Sequence, residues 1–204
     1  MPTQLGPISV SFPGAGKGFV YWYCSAATNP NCTNGDQINV LAPLLGQADS
    51  GPLPITVTNN GVSSAPFAVF RAALSPVFFI LDTTGHVAAR HLDSSLVGPP
   101  GLYPGFSTPA KVGETISVYG SGFGKPDNNT VVNGSATQSG SLDGQGLACW
   151  ISGHPAHTVG ALVSPGLYQF NITIPSGVAS GDNPVNCVYG SLSATFPGAL
   201  IAVQ

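Results

Sequence analysis

Residues 165–203 read PGLYQFNITIPSGVASGDNPVNCVYGSLSATFPGALIAV. Apolar and polar residues alternate through Tyr168–Ile174 and recur through Val185–Tyr189, and Gly, Ser, Pro, Asp and Asn separate the runs. That is the pattern of half-buried strands joined by turns. An earlier stretch, residues 35–72, reads GDQINVLAPLLGQADSGPLPITVTNNGVSSAPFAVFRA and follows the same plan. Gln37, Asn39 and Pro43 align with Gln169, Asn171 and Pro175 at one offset. Pro54, Val62 and Ser63 align with Pro184, Leu192 and Ser193 at an offset two residues shorter, the size of an ordinary turn difference. The chain is therefore a repeat of an all-β unit. No segment places apolar residues at helical spacing over the length a helix needs.

A length of 204 residues suits two sandwiches rather than one. Only 6% of the residues are charged, against about 25% in ordinary soluble domains. Gly (27) and Pro (19) are abundant, and hydrophobic residues make up 43%. Turn-rich β structure with a core fits that balance, and disorder does not. The five basic residues, Lys17, Arg71, Arg90, Lys111 and Lys125, are scattered and the net charge is −3, so no positive stripe exists to bind nucleic acid. The most apolar window, residues 65–81, is interrupted by Pro66, Arg71 and Pro76, which argues against membrane insertion. No basic segment followed by an apolar one comes after Met1. A cytosolic protein and a mature exported product whose leader is absent from the chain both fit, and the second is the expectation.

Four cysteines admit three pairings. Cys24 with Cys32 and Cys149 with Cys187 keeps each bond inside one repeat and is the pairing expected in an oxidising compartment, buried free thiols being the alternative. Neither pair has the CxxC spacing of zinc or thiol-redox sites.

Along the chain, Ile8, Val10 and Phe12 alternate as a strand, and Gly14, Gly16 and Gly18 form a turn. No GK[ST] motif or helix follows, so the glycines do not read as a phosphate loop. Gln37–Ala42, Leu53–Thr58 and Ala65–Ala72 are strands, with a tight turn at Asn59-Asn60-Gly61. Val77–Leu81 and His86–His91, joined by Asp82-Thr83-Thr84-Gly85, read as a hairpin between the repeats. Residues 94–109 read as an irregular connector in which Leu96, Leu102, Tyr103 and Phe106 require burial. Residues 125–146 read as an exposed loop, the most mobile part of the chain.

Sites of chemistry are few. His86, His91 and Asp93 cluster in sequence, but strand alternation puts His86 on the face opposite to the others, and His154 and His157 lack a nearby carboxylate. These histidines read as surface or packing residues, with no metal or cofactor expected. No GxSxG elbow is present, and Glu114 is the lone glutamate among seven scattered aspartates, so no hydrolase or glycosidase constellation emerges. Asp127-Asn128-Asn129 and Gly181-Asp182-Asn183 offer oxygen ligands without the spacing of a calcium loop and read as turns. Four N-x-[ST] sequons begin at Asn31, Asn128, Asn133 and Asn171. Tyr21, Trp22 and Tyr23 are adjacent, so strand alternation turns at least one of them outward, where it is available to a sugar ring or a partner surface, ordinary core and rim packing being the alternative.

Residues 112–124, VGETISVYGSGFG, and residues 166–190, GLYQFNITIPSGVASGDNPVNCVYG, resemble a family of C-terminal domains on secreted acidobacterial proteins, itself similar to immunoglobulin-like TIG modules. Asp36–Asn39 and Asn60–Phe67 carry matching motifs in the first repeat. The resemblance covers nearly the whole chain and implies export and tandem immunoglobulin-like sandwiches, with no catalytic residue to transfer. It departs from the family at the cysteine-bounded insert, Cys24–Cys32, and in a shortened segment before Cys149.

Ile8-Ser9-Val10 aligns either with the opening strand, Ile116-Ser117-Val118, or with the second strand near Trp150–Gly153. Once the seven residues between Cys24 and Cys32 are set aside, Gly14 to Gln37 spans the same length as Gly153 to Gln169, and the family pattern favours this second alignment. The expected organisation is a sandwich over 1–72 lacking its opening strand, a hairpin and Pro-rich connector over 73–111, and a sandwich over 112–204. The expected function is a non-enzymatic extracellular or cell-surface module that pairs strands or faces with itself or other surface proteins, through Ile8, Val10 and Phe12 and through Tyr21, Trp22 and Tyr23. A carbohydrate-binding module is the alternative.

Overall fold

The computed structural model of the chain describes residues 1–32, 35–44, 51–126, 131–190, 192–194 and 198–204. The expected all-β class is what these residues form: nearly all strand pairings are antiparallel, and the described residues include no α-helix. They divide into two compact units, one of residues 1–73 and 132–137, the other of residues 74–131 and 138–204.

Unit one contains β1 (Ile8–Phe12), β2 (Gly16–Lys17), β3 (Phe19–Cys24), β4 (Gln37–Leu41), β5 (Gly51–Asn59), β6 (Val62–Ser63) and β7 (Phe67–Arg71). One sheet has the order β2-β1-β5-β6 with β7 also on β5, and β3 pairs with β4 in a separate two-stranded sheet. The β5–β6 hairpin turns on Asn60 and Gly61, both at positive φ (50° and 81°), the conformation that Asn-Gly loops adopt at little cost. Val10, Phe12 and Val20 form the buried core, packed by half-buried residues that include Ile38, Val40 and Val57. The Cys24–Cys32 disulfide staples the loop that follows β3.

Unit two contains β8 (Val77–Phe78), β9 (Ala89–Arg90), β10 (Leu96–Val97), β11 (Ser107–Thr108), β12 (Thr115–Ser121), β13 (Gly140–Ser141), β14 (Ala148–Ile151), β15 (His154–Ala156), β16 (Thr158–Ser164), β17 (Leu167–Thr173), β18 (Gly181–Tyr189), β19 (Leu192–Ala194) and β20 (Leu200–Val203). One sheet has the order β11-β10-β9-β12-β17-β16-β13 with β8 also on β12. The other has the order β15-β14-β18-β19 with β20 also on β18. Both sheets feed one core, in which the Phe123 ring packs 4.4 Å from that of Phe170. Cys149 and Cys187 face each other across β14 and β18 and are bonded.

Two sequence expectations need correction. The expected hairpin is present, with Ile80 bridged antiparallel to Val87, but in residues 94–109, read as an irregular connector, β10 and β11 are strands of a unit-two sheet, and Tyr103 and Phe106 are exposed rather than buried. The chain there folds on itself through Leu102 N–H to Pro99 O and Phe106 N–H to Tyr103 O, which turns the small Ser107 inward instead. In the segment read as a loop, residues 127–130 lie outside the described residues, but Leu142 is fully buried and β13 pairs with β16. Residues 132–137 belong to unit one. There Gly134 sits against the Phe19 ring, where a Cβ would clash, and Asn133 Oδ1 accepts the Leu44 N–H at 3.1 Å.

Candidate interaction site

The pairing registers make the two units comparable residue by residue. Val10 faces Val57 across β1 and β5 where Cys149 faces Cys187 across β14 and β18. β5 and β18 have the same length, and each carries a hairpin partner and a second partner on its other half. In the same way β3 pairs with β4 as β16 pairs with β17, with Asn39 and Gln37 in the places of Asn171 and Gln169. β1 is thus the counterpart of β14, in agreement with the second of the two alignments.

This overturns one assignment of interaction residues. Ile8, Val10 and Phe12 are buried, and β1 lies between β2 and β5, two strands of its own unit. Their alternation reads correctly as a strand, but an inward-facing strand between two neighbours offers nothing to a partner.

The open edge is on β4. In unit two, β12 lies along β17, with Ile116 opposite Ile172, Ser117 opposite Asn171, Val118 opposite Phe170 and Tyr119 opposite Gln169. Among the described residues of unit one, β4 pairs only with β3. The consequence shows in burial: Phe170 and Ile172 are 0% exposed, whereas Ile38 and Val40, at the same positions, are only partly buried. Beside Ile38 a groove of about 380 Å³ opens, walled by Ile8 and Val57 from one sheet and Tyr23 and Ile38 from the other. The β-structure rule at work is simple: an unpaired strand edge presents backbone N–H and C=O groups to any extended chain that fits.

The outer face of β4 is already arranged for such a neighbour. Gln37 donates from Nε2 to Asn39 Oδ1 at 2.9 Å, and Gln169 makes the same bond to Asn171 at 2.9 Å. In unit two this pair also engages β12: the Ser117 hydroxyl donates to Asn171 Oδ1 at 3.1 Å and accepts from Gln169 Nε2 at 3.3 Å. The repeated Gln-x-Asn was visible in the sequence. Ser117 as its third member was the signal that would have led from the repeat to Gln37, Ile38, Asn39 and Val40.

A second edge differs likewise. In unit two, residues around Gly85–Val87 and Ala110 run beside β20, with Ala110 N–H donating to Ala202 O at 2.9 Å. On β7, the counterpart strand, Phe67 and Phe70 are 69% and 84% exposed. Tyr21, Trp22 and Tyr23 on β3 are 50%, 42% and 36% exposed, and a break in pairing register between Val20 and Trp22 falls within this run.

His86 and His91 are structural. His86 is buried, with Nδ1 2.7 Å from Asp82 Oδ2 and Nε2 3.1 Å from Asp182 Oδ1. Burial works against its charged form, but the hydrogen bonds to both carboxylates outweigh that and raise its pKa above the ordinary value. The hydrogen bond from His86 holds the Asp82 carboxyl down to about 2. His91 Nδ1 lies 2.5 Å from Glu114 Oε1 and its Nε2 3.0 Å from Thr108 O, and its pKa is raised in the same way, against the burial that opposes it. Both ring nitrogens of His86 and of His91 are engaged, which leaves neither of these rings a lone pair to give a metal. No group of three or more His, Cys, Asp or Glu among the described residues is placed to hold one. Asn183 secures its turn through Nδ2 to Ala179 O and Gly181 O, while Asp127, Asn128 and Asn129 lie outside the described residues.

No known family model matches the chain, and no curated protein sequence matches it.

Proposed function

We propose that this chain is a non-enzymatic extracellular structural or interaction module that engages other polypeptides, copies of itself included, through strand pairing. The observation that carries the reading is the outer edge of β4, unpaired among the described residues, where the matching edge of β17 is covered by β12. The two disulfides fit an oxidising extracellular compartment, and no helix among the described residues is long and apolar enough to cross a membrane. A charged fraction of 6% removes most of the repulsion that keeps proteins apart. The resemblance to domains of secreted acidobacterial proteins points the same way. Native mass measurement from dilute to concentrated solution tests self-assembly. Multimers that grow with concentration and vanish on Val40→Asp support it, and a strict monomer at the highest concentration contradicts it.

A second reading rests on the exposed Tyr21, Trp22 and Tyr23, which present aromatic surface of the kind that stacks on sugar rings. Glycan-array binding that Trp22→Ala abolishes favours this carbohydrate-binding reading.

A further inference from the structure

We infer that the β4 edge of unit one is a receptor for an uncharged extended segment of another polypeptide, in which β-branched apolar residues alternate with Ser or Thr, laid antiparallel to β4 in the register that β12 takes on β17. The inference rests on the strand-pairing reading above and specifies the chemistry of the occupant. Three features of the site define it.

The first is register. Transferring the β12 pairing onto β4 places an apolar residue opposite Val40, a hydroxyl residue opposite Asn39 and a second apolar residue opposite Ile38, the positions held by Ile116, Ser117 and Val118 in unit two. The inward pair reaches the half-buried Val40 and Ile38 and extends toward the groove walled by Ile8, Val57 and Tyr23. Side chains one apart on a strand point to opposite faces, so the hydroxyl residue is on the outer face by necessity.

The second is the preformed amide pair. Gln37 Nε2 already holds Asn39 Oδ1, the geometry that receives Ser117 on β17. Asn39 Oδ1 retains acceptor capacity for an incoming hydroxyl.

The third is charge. Gln37–Leu41 carries no charge, and Asp36 is the lone charged residue lining the groove. Its Oδ1 already accepts from Ser25 Oγ at 3.0 Å and Ala26 N–H at 2.8 Å. An uncharged partner strand matches this surface as β12, Thr-Ile-Ser-Val-Tyr-Gly-Ser, matches β17. The β7 edge lacks these features, since its large side chains Phe67 and Phe70 stand in solvent.

The test is titration of the full, disulfide-bonded chain with a synthetic peptide of the sequence TISVYGS, followed by isothermal calorimetry and by NMR shift mapping. The expected result is saturable binding with shifts centred on Gln37–Leu41 and the groove residues. Replacing the valine of the peptide by aspartate lowers affinity at least tenfold, and replacing its serine by valine lowers it several-fold in wild-type protein but not in Asn39→Ala. Absence of binding, binding unaffected by aspartate, or shifts centred on Phe67–Arg71 overturns the inference. Concentration-dependent multimers from a chain that ignores the peptide would remove this occupant while leaving strand-pairing assembly standing. Peptide binding by a chain that stays monomeric would do the reverse.

Discussion

Unit one and unit two carry the same strand arrangement from β1 to β7 and from β14 to β20, yet they differ in what surrounds it. Residues 74–121 add β8 to β12 to unit two, closing the β17 edge and lining the β20 edge, and the core there draws on both sheets. Unit one has no counterpart to that segment among the described residues, and its buried core reduces to Val10, Phe12 and Val20. A β-sandwich core is therefore not a property of strand sequences alone. Ile38 and Val40 are as apolar as Phe170 and Ile172, and they remain partly exposed because no described strand lies along β4 as β12 lies along β17.

Each unit holds one of the two tryptophans, Trp22 and Trp150, so single Trp→Phe variants separate their unfolding by fluorescence. The largest contrast is expected at paired core positions. Phe170→Ala creates a cavity in a filled core and should cost about 3–5 kcal/mol in unit two. Ile38→Ala removes a side chain that is only partly buried and should cost about 1–2 kcal/mol in unit one. Equal losses in urea titrations would break the comparison.

Disulfide removal comes next. Cys149→Ala with Cys187→Ala opens a loop of separation 38, whereas the Cys24–Cys32 bond closes one of separation 8. The first double variant should cost about 2–4 kcal/mol and the second roughly 1 kcal/mol less, since the longer loop gains more entropy in the unfolded chain. Smaller again is the amide pair: Asn171→Ala loses bonds to Gln169 and Ser117 and should cost about 0.5–1.5 kcal/mol, while Asn39→Ala, which loses only Gln37, should fall below that.

The smallest effect is a pH dependence confined to unit two. His86 and His91 are both raised above their ordinary value of 6.5 by carboxylate partners, against the burial that opposes their charge. Their contribution is complete below that value and is lost as pH rises through the raised folded-state pKa, so unit two should weaken as pH rises above 6.5. Asp82, held at about 2, acts at the other end: its contribution is present above the ordinary carboxylate value of 3.8 and disappears as pH falls toward 2. Melting of His86→Gln across this range should show the neutral-side loss reduced to what His91 supplies, with Trp22 fluorescence unmoved.

What the sequence made legible was local and periodic. Gln-x-Asn in alternation, the Asn-Gly turn and the cysteine positions each encode their structure within a few residues, so the strands, the repeat and the second alignment of Ile8–Val10 could be read from them. Pairings between distant residues were not legible. The two-residue strands β10 and β11 have no periodicity to display, and His86 meets Asp182 across 96 residues. The interaction residues were misplaced on β1 for a related reason: alternation marks a strand, but whether that strand is central or at an edge depends on its neighbours.

Amide hydrogen exchange on β4 and β17, measured in dilute solution where the chain is monomeric, decides whether the β4 edge is open. An open edge requires that the amides of Gln37–Leu41 facing away from β3 exchange nearly as fast as free peptide, while all those of Leu167–Thr173 are strongly protected. Equal protection of the two strands would mean that unit one is closed, and would contradict an open edge.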